Sequence, residues 1–230
     1  MRTVVIGTGT EIGKTHLGVA LLTAATRKGL STCGLKPIES GAPPGADGED
    51  AAALRAAGTL PWTSPAPYSF KDPVSPHLAA RRESVRIEIP RARSWVDTHQ
   101  ATFLLVETAG ALLSPLGEGL TNLDLALAME ADRYILVAVD RLGVLHDVTA
   151  CLAVWSTRKE VLSATPPLSP LVVLQSPAIP DTSTGTNAAE LEALGIASQV
   201  MTMPRGPATS PECQAAATAI VERLLLPHPR

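Results

Sequence analysis

The sequence predicts an α/β fold, a mostly parallel sheet with helices on both faces, from three observations. Short β-branched or Leu/Val-rich runs alternate with helical patterns along the 230 residues. The runs are continuously apolar, as expected of strands covered from both sides. The core must be aliphatic, because 45% of the residues are apolar and only 3% aromatic.

In chain order, the first run is Thr3-Val4-Val5-Ile6, closed by Gly7. A helical pattern occupies 14–28, and Gly29 stands where a left-handed residue ends such a helix. The second run, 32–36, ends on Lys36-Pro37, and the stretch GAPPGADG at 41–48 reads as a loop before a helix at 50–57. Proline-rich 61–76 reads as a second loop. The third run, 102–107, ends on Glu107, and a helix at 123–130 leads to the fourth run, 134–139. A helix at 144–159, the fifth run at 171–175, a helix at 187–194 stopped by Gly195 and a last helix at 211–226 precede a polar tail at 227–230. With no repeat, heptad series or linker, one domain over 1–230 is expected.

Composition removes several function classes. There are 19 basic and 22 acidic side chains, a net charge of -3 and no basic run, so no electrostatic footprint for nucleic acid or anionic lipid is expected. Seven aromatics (2 Phe, 3 Trp, 2 Tyr) leave little for base stacking. The N-terminus has no leader-like apolar segment, and no apolar run approaches the roughly 18 residues of a membrane span. A cytoplasmic protein without nucleic-acid or membrane partners is expected. Cys33, Cys151 and Cys213 are widely spaced and form no metal-binding pair, so they read as small buried thiols.

Directly after the first run comes Gly7-Thr8-Gly9-Thr10-Glu11-Ile12-Gly13-Lys14-Thr15, with the first helix following at once. Glycines let backbone N–H groups turn inward around phosphate oxygens, and the helix N-terminus adds positive potential. Lys14 is placed to reach the β- and γ-phosphates and the Thr15 hydroxyl to ligate Mg²⁺. Five residues separate Gly7 from Gly13, one more than in the strict pattern. A single-domain P-loop NTPase fold follows, while the reaction stays open.

The loop with Glu11 before Ile12 and GKT, together with a second lysine in Leu35-Lys36-Pro37-Ile38-Glu39-Ser40-Gly41, resembles the dethiobiotin synthetase family. Asp50-Ala51-Ala52-Ala53-Leu54, Ser75-Pro76-His77, Glu107-Thr108-Ala109-Gly110, Pro115-Leu116 and Arg141-Leu142-Gly143 are similar to further family segments in the same order. The resemblance implies a homodimeric, ATP- and Mg²⁺-dependent ligase that closes the ureido ring of dethiobiotin on 7,8-diaminononanoate with CO₂. A carbamate, formed on one amine, would attack the γ-phosphoryl group, and the neighbouring amine would open the mixed anhydride. Such a ring closure relies on positioning and needs no side-chain nucleophile.

On that resemblance, Lys14, Lys36 and Thr10 act on the reacting groups, and Thr15, Asp50 and Glu107 hold Mg²⁺. Glu11, Ile12, Gly13, Lys14, Thr15 and His16, with Asp50, Glu107, Thr108, Ala109 and Gly110, would surround the nucleotide phosphates. Gln175, Ser176, Pro204, Arg205 and Gly206 would meet the base. Thr10, Lys36 and Ser40 would hold the diamine, and Leu142, Gly143 and Val144, at a helix start, would receive its carboxylate across the dimer.

The chain departs from the family at Gly9, where the family carries Asp, at Thr108-Ala109-Gly110-Ala111, where it carries a glycine-richer turn, and at Gln175, where it carries the Asn that reads adenine. A related carboxylating or amido ligase and a partitioning-type switch ATPase are the alternative readings. The second lacks the early lysine of its loop, since Gly7-Thr8-Gly9 holds none.

Overall fold

The computed structural model describes residues 1–42, 46–162 and 168–227, with the side chains of 159–162 left aside. The centre of the expected loop at 41–48 and most of the tail at 227–230 lie outside the described residues. In chain order the elements are β1 (Arg2–Gly7), α1 (Lys14–Arg27), β2 (Thr32–Leu35), β3 (Ile38–Ser40), α2 (Glu49–Ala57), β4 (Tyr68–Phe70), α3 (Pro76–Arg82), α4 (Ile89–Asp97) and β5 (Phe103–Glu107). Then follow β6 (Pro115–Gly117), β7 (Leu120–Thr121), α5 (Asn122–Ala128), β8 (Arg133–Val139), α6 (Val144–Leu162), β9 (Leu171–Gln175), α7 (Asn187–Ala193), β10 (Val200–Met203) and α8 (Pro211–Leu225).

Six strands form one sheet in the order β10-β9-β8-β1-β5-β2, and every pair in it is parallel. Side chains alternate along each strand, so each face receives its own core. Val5, Phe103, Leu105, Ile135 and Val173 pack with Leu17, Leu21 and Leu22 of α1 and Ile220, Val221 and Leu224 of α8. Val4, Ile6, Val106, Leu136 and Leu174 pack on the other face with Trp95 of α4, Leu125 of α5, Val148 and Trp155 of α6 and Leu191 of α7. The chain leaves β1 towards β2 and β5 and later crosses to β8 on the opposite side. The crevice beyond the carboxyl end of β1 is therefore the switch point where ligands settle in open α/β sheets.

The five expected strands and six expected helices are all present, with ends shifted by a few residues. The proline-rich stretch at 61–76 is a correction. Tyr68–Phe70 forms a strand parallel to Ile38–Ser40, with Tyr68 and Phe70 buried, and Pro76 opens α3 at the first helical position, where a missing N–H costs nothing. Helix α4 was not anticipated, although Ala92, Trp95 and Val96 show the i, i+3, i+4 spacing of a buried stripe. Cys33 and Cys213 are buried as expected, whereas Cys151 is half-buried. Burial pushes the Cys33 thiol up to about 11. Among the described residues no helix is long and apolar enough to cross a membrane.

One glycine fixes how close α2 lies to the sheet. A Cβ on Gly34 of β2 would stand 2.5 Å from Leu22 Cδ1 and 2.7 Å from the Leu54 carbonyl oxygen. The side chain can yield; the backbone carbonyl cannot. Gly34→Ala is expected to cost about 1–3 kcal/mol through overpacking, read as a lower denaturant midpoint with an unchanged slope.

Candidate active site

The turn from β1 into α1 is built for an anion. Gly13 has φ +88° and stands at the N-cap of α1 without a side-chain cap, and the first turn of α1 carries no acid. Its N–H groups and dipole thus remain available to an anionic ligand. A Cβ on Gly7 would meet Ile12 Cδ1 at 2.6 Å and Lys14 Cδ at 3.1 Å, so the loop folds over its own glycine. Glu11 adopts φ 57°, a conformation unusual for a residue with a side chain. Lys14 is buried and its Nζ donates to the Gly9 carbonyl at 3.1 Å. Burial draws Lys14 below the ordinary lysine value; Lys36 acts in the same direction, against Glu107 and Asp50.

Beside the loop stands a charged cluster drawn from three elements. Glu107, at the end of β5, is 1% exposed and accepts from the Thr15 hydroxyl at 2.9 Å and from Lys36 Nζ at 2.7 Å through one oxygen. Lys36 also pairs with Asp50 of α2. Burial would lower the Lys36 ammonium, but Glu107 and Asp50 outweigh it and hold the group above the ordinary lysine value. Burial likewise opposes the Asp50 carboxylate, and the facing lysine overcomes it, leaving the group below the usual carboxylate range.

The second Glu107 oxygen is buried without a partner among the described residues. That orphan oxygen, the Thr15 hydroxyl and the Asp50 carboxylate are hard donors of the type Mg²⁺ takes, with room for waters and substrate phosphates. The residues therefore fit a Mg²⁺ ion. Among the described residues no group of three or more His, Cys, Asp or Glu could hold a metal by itself.

Two cavities flank the loop. The first, of about 690 Å³, is lined by Thr10, Lys14, Thr15, Lys36, Ser40, Asp50, Glu107, Ala109 and Gly110 among others. The Ser40 hydroxyl is buried there without a partner among the described residues. The second, of about 530 Å³, lies on the other side of Glu11, Ile12 and Gly13 and is lined by His16, Gln175, Ser176, Arg205 and Gly206. The Gln175 amide is committed: its Nε2 donates to the Gly13 carbonyl at 3.1 Å and its Oε1 lies 3.3 Å from His16 Nδ1. His16 Nε2 sits 2.8 Å from the Gly206 carbonyl.

Other expected site residues fall outside both cavities. Thr108 turns its hydroxyl to the Val5 carbonyl at 3.3 Å, because it alternates with Glu107 across the strand exit. Pro204 lines neither cavity, and its carbonyl accepts from Cys213 Sγ. Leu142, Gly143 and Val144 lie beyond β8, also outside both; Leu142 is 77% exposed and its N–H donates to Asp181 at 2.8 Å. Two contributors were not singled out from sequence. Asn122 is fully buried and braces the turn after β5 by donating to the Ala109 and Ala111 carbonyls. Glu39 is buried in the wall of the first cavity.

The parallel sheet, the glycine-rich turn at its switch point and the lysine–acid cluster beside it define a P-loop nucleotide-binding protein. Residues 2–165 match the family model described as an AAA domain. A Caulobacter vibrioides protein named ATP-dependent dethiobiotin synthetase BioD is 36% identical over 184 residues, covering 77% of this chain and 81% of the relative. A relative of the same name from Rhodopirellula baltica is 35% identical over 210 residues, 81% of this chain and 77% of its own. The chain belongs to the dethiobiotin synthetase family. The septum site-determining protein MinD of Pyrococcus horikoshii, solved with Mg-ADP, superposes with a TM-score of 0.59 over 98% of this chain and 96% of its own at 12% identity. That likeness is one of fold.

Proposed function

We propose that this protein is an ATP-dependent dethiobiotin synthetase, closing the ureido ring on 7,8-diaminononanoate with CO₂. The observation that carries the reading is the convergence of Lys14, Lys36, Thr15, Asp50 and Glu107 on one cavity beside the phosphate loop. In this reading the nucleotide phosphates lie along the loop N–H groups, with the base in the second cavity near Ser176, Arg205 and Gly206. Thr15, Asp50 and Glu107 would hold Mg²⁺, which when bound offsets phosphate charge.

Thr10 and Ser40 hydrogen-bond the diamine so that one amine nitrogen, having taken up CO₂, presents its carbamate oxygen to the γ-phosphorus. Lys14 and Lys36 offset the charge that develops on the transferring phosphoryl group and the carbamate. As the carbamate oxygen bonds to the γ-phosphorus the bond to ADP breaks, giving a carbamic-phosphoric anhydride; the second amine attacks its carbonyl carbon, loses a proton, phosphate leaves, and the ring closes. Tethering both amines on one chain makes that last step intramolecular, so positioning supplies much of the acceleration.

The functional unit is proposed to be a cytoplasmic homodimer of one-domain subunits. Support for a second subunit comes from Leu142 and Ile179, both strongly exposed, on segments joined by the Leu142–Asp181 hydrogen bond. There Leu142, Gly143 and Val144 would receive the substrate carboxylate of the neighbouring subunit. The function is tested by ATP hydrolysis with additions. Slow turnover alone, rising sharply only when diaminononanoate and bicarbonate are both present, is expected; stimulation by neither overturns the reading.

A further inference from the structure

Glu39 has no part in the chemistry above, yet it is buried beside it and both its oxygens are used. They accept the backbone N–H groups of Asp50 at 3.0 Å and Ala51 at 3.1 Å, the second and third residues of α2. Those are donors that an N-cap side chain ordinarily takes. The residue at the cap position, Gly48, makes no side-chain cap bond. Its φ of -68° and ψ of 171° are open to any residue, so backbone freedom does not require glycine there. Space does: a Cβ at position 48 would stand 2.5 and 2.6 Å from the two Glu39 oxygens.

We propose that Glu39 is a positioning residue for Asp50, a helix cap supplied from β3 in place of the helix's own. Lys36 and Glu39 lie on one short segment, and together they hold Asp50 from two sides. The ammonium of Lys36 takes its carboxylate and the carboxylate of Glu39 takes its N–H. A cap at position 48 would tie the first turn of α2 to the preceding loop. The Glu39 cap ties it instead to the segment that follows Lys36, which fixes the spacing of the lysine and the acid. Gly48 is the sequence counterpart of this arrangement, being small so that the remote carboxylate can enter.

The inference rests on the reading of Asp50 as a Mg²⁺-side residue, and its test needs no diamine chemistry. Glu39→Ala, Gly48→Ser and the double variant are compared by calorimetric titration with ADP, with and without Mg²⁺, and by thermal midpoint without nucleotide. Each single variant is expected to weaken Mg²⁺-dependent ADP binding about tenfold or more by displacing Asp50, while binding without Mg²⁺ stays near wild type. In the double variant the serine hydroxyl reaches the N–H groups the carboxylate has left, restoring affinity to within about threefold of wild type.

Glu39→Gln, with one acceptor oxygen in place of two, should shift binding the same way by less, and it serves if Glu39→Ala does not fold. A double variant no better than the weaker single overturns the proposal, as does equal weakening with and without Mg²⁺, which is general loosening. Failure of the synthetase reading shows separately, in the diamine assay on the unaltered protein.

Discussion

Lys36→Met is expected to abolish ring closure, lowering turnover about 1000-fold or more, while ATP affinity measured without Mg²⁺ stays close to wild type. Lys14 belongs to the phosphate loop, where it would meet the nucleotide with the loop N–H groups, whereas Lys36 lies between Asp50 and Glu107. The lost charge is therefore one felt in the transition state more than in nucleotide binding. A parallel loss of ATP affinity without Mg²⁺ would contradict that division of labour.

The same substitution has a second effect, on the fold. Glu107 is almost wholly buried, one of its oxygens has no partner among the described residues, and Lys36 is its ion-pair partner. Removing one member of a buried pair costs about 3–5 kcal/mol because the remaining charge is left uncompensated. The thermal midpoint in chelator should fall by several degrees, and Mg²⁺ with ADP should restore part of it.

The loss should be flat across neutral pH. Lys36 is held above its ordinary value, so its contribution is intact below about 10.4 and fades as pH rises through the folded value. Asp50 is held below its ordinary value, so its contribution is intact above about 3.9 and fades as pH falls through the folded value.

Glu107→Gln should separate metal from lysine. The amide keeps the shape but removes the charge that faces Thr15 and Lys36. Catalytic efficiency is expected to fall at least about 100-fold, and the extra thermal stabilisation that Mg²⁺ adds to ADP should vanish, since a ligand stabilises only as far as it binds the folded state. Because Lys36 keeps Asp50 as a partner, the midpoint in chelator should drop less than in Lys36→Met. Undiminished Mg²⁺-dependent stabilisation in Glu107→Gln would remove this carboxylate from the metal set.

Much of this was legible in the residues because the main strands are continuous apolar runs and the phosphate loop has a fixed place between strand and helix. What was missed is short or punctuated. The three-residue strand at Tyr68–Phe70 hides among prolines, and Val200–Met203 is a half-exposed edge strand with a weak apolar signal. Within the site, the residue types at Lys36, Asp50 and Glu107 announce charge, but only the fold shows the lysine lying between the two acids. Thr108 follows Glu107 in sequence and yet faces the opposite way, a matter of strand alternation at an exit whose register is set by neighbouring strands. Gln175, expected at the base, lines the second cavity, and its contacts to Gly13 and His16 show only in the fold. Glu39 reads in sequence only as part of the Leu35–Gly41 segment, and its contact with the start of α2 shows only in the fold.

In the proposed reaction, phosphoryl transfer from ATP drives carbon into a ring on a tethered diamine. It is tested most directly by incubating the protein with ATP, Mg²⁺, diaminononanoate and ¹³C-bicarbonate and following product mass and phosphate together. If that reaction occurs, a cyclic urea carries the label in its carbonyl carbon, with one phosphate released for each ring formed. Phosphate released without labelled product, or label incorporated without ATP, would contradict it.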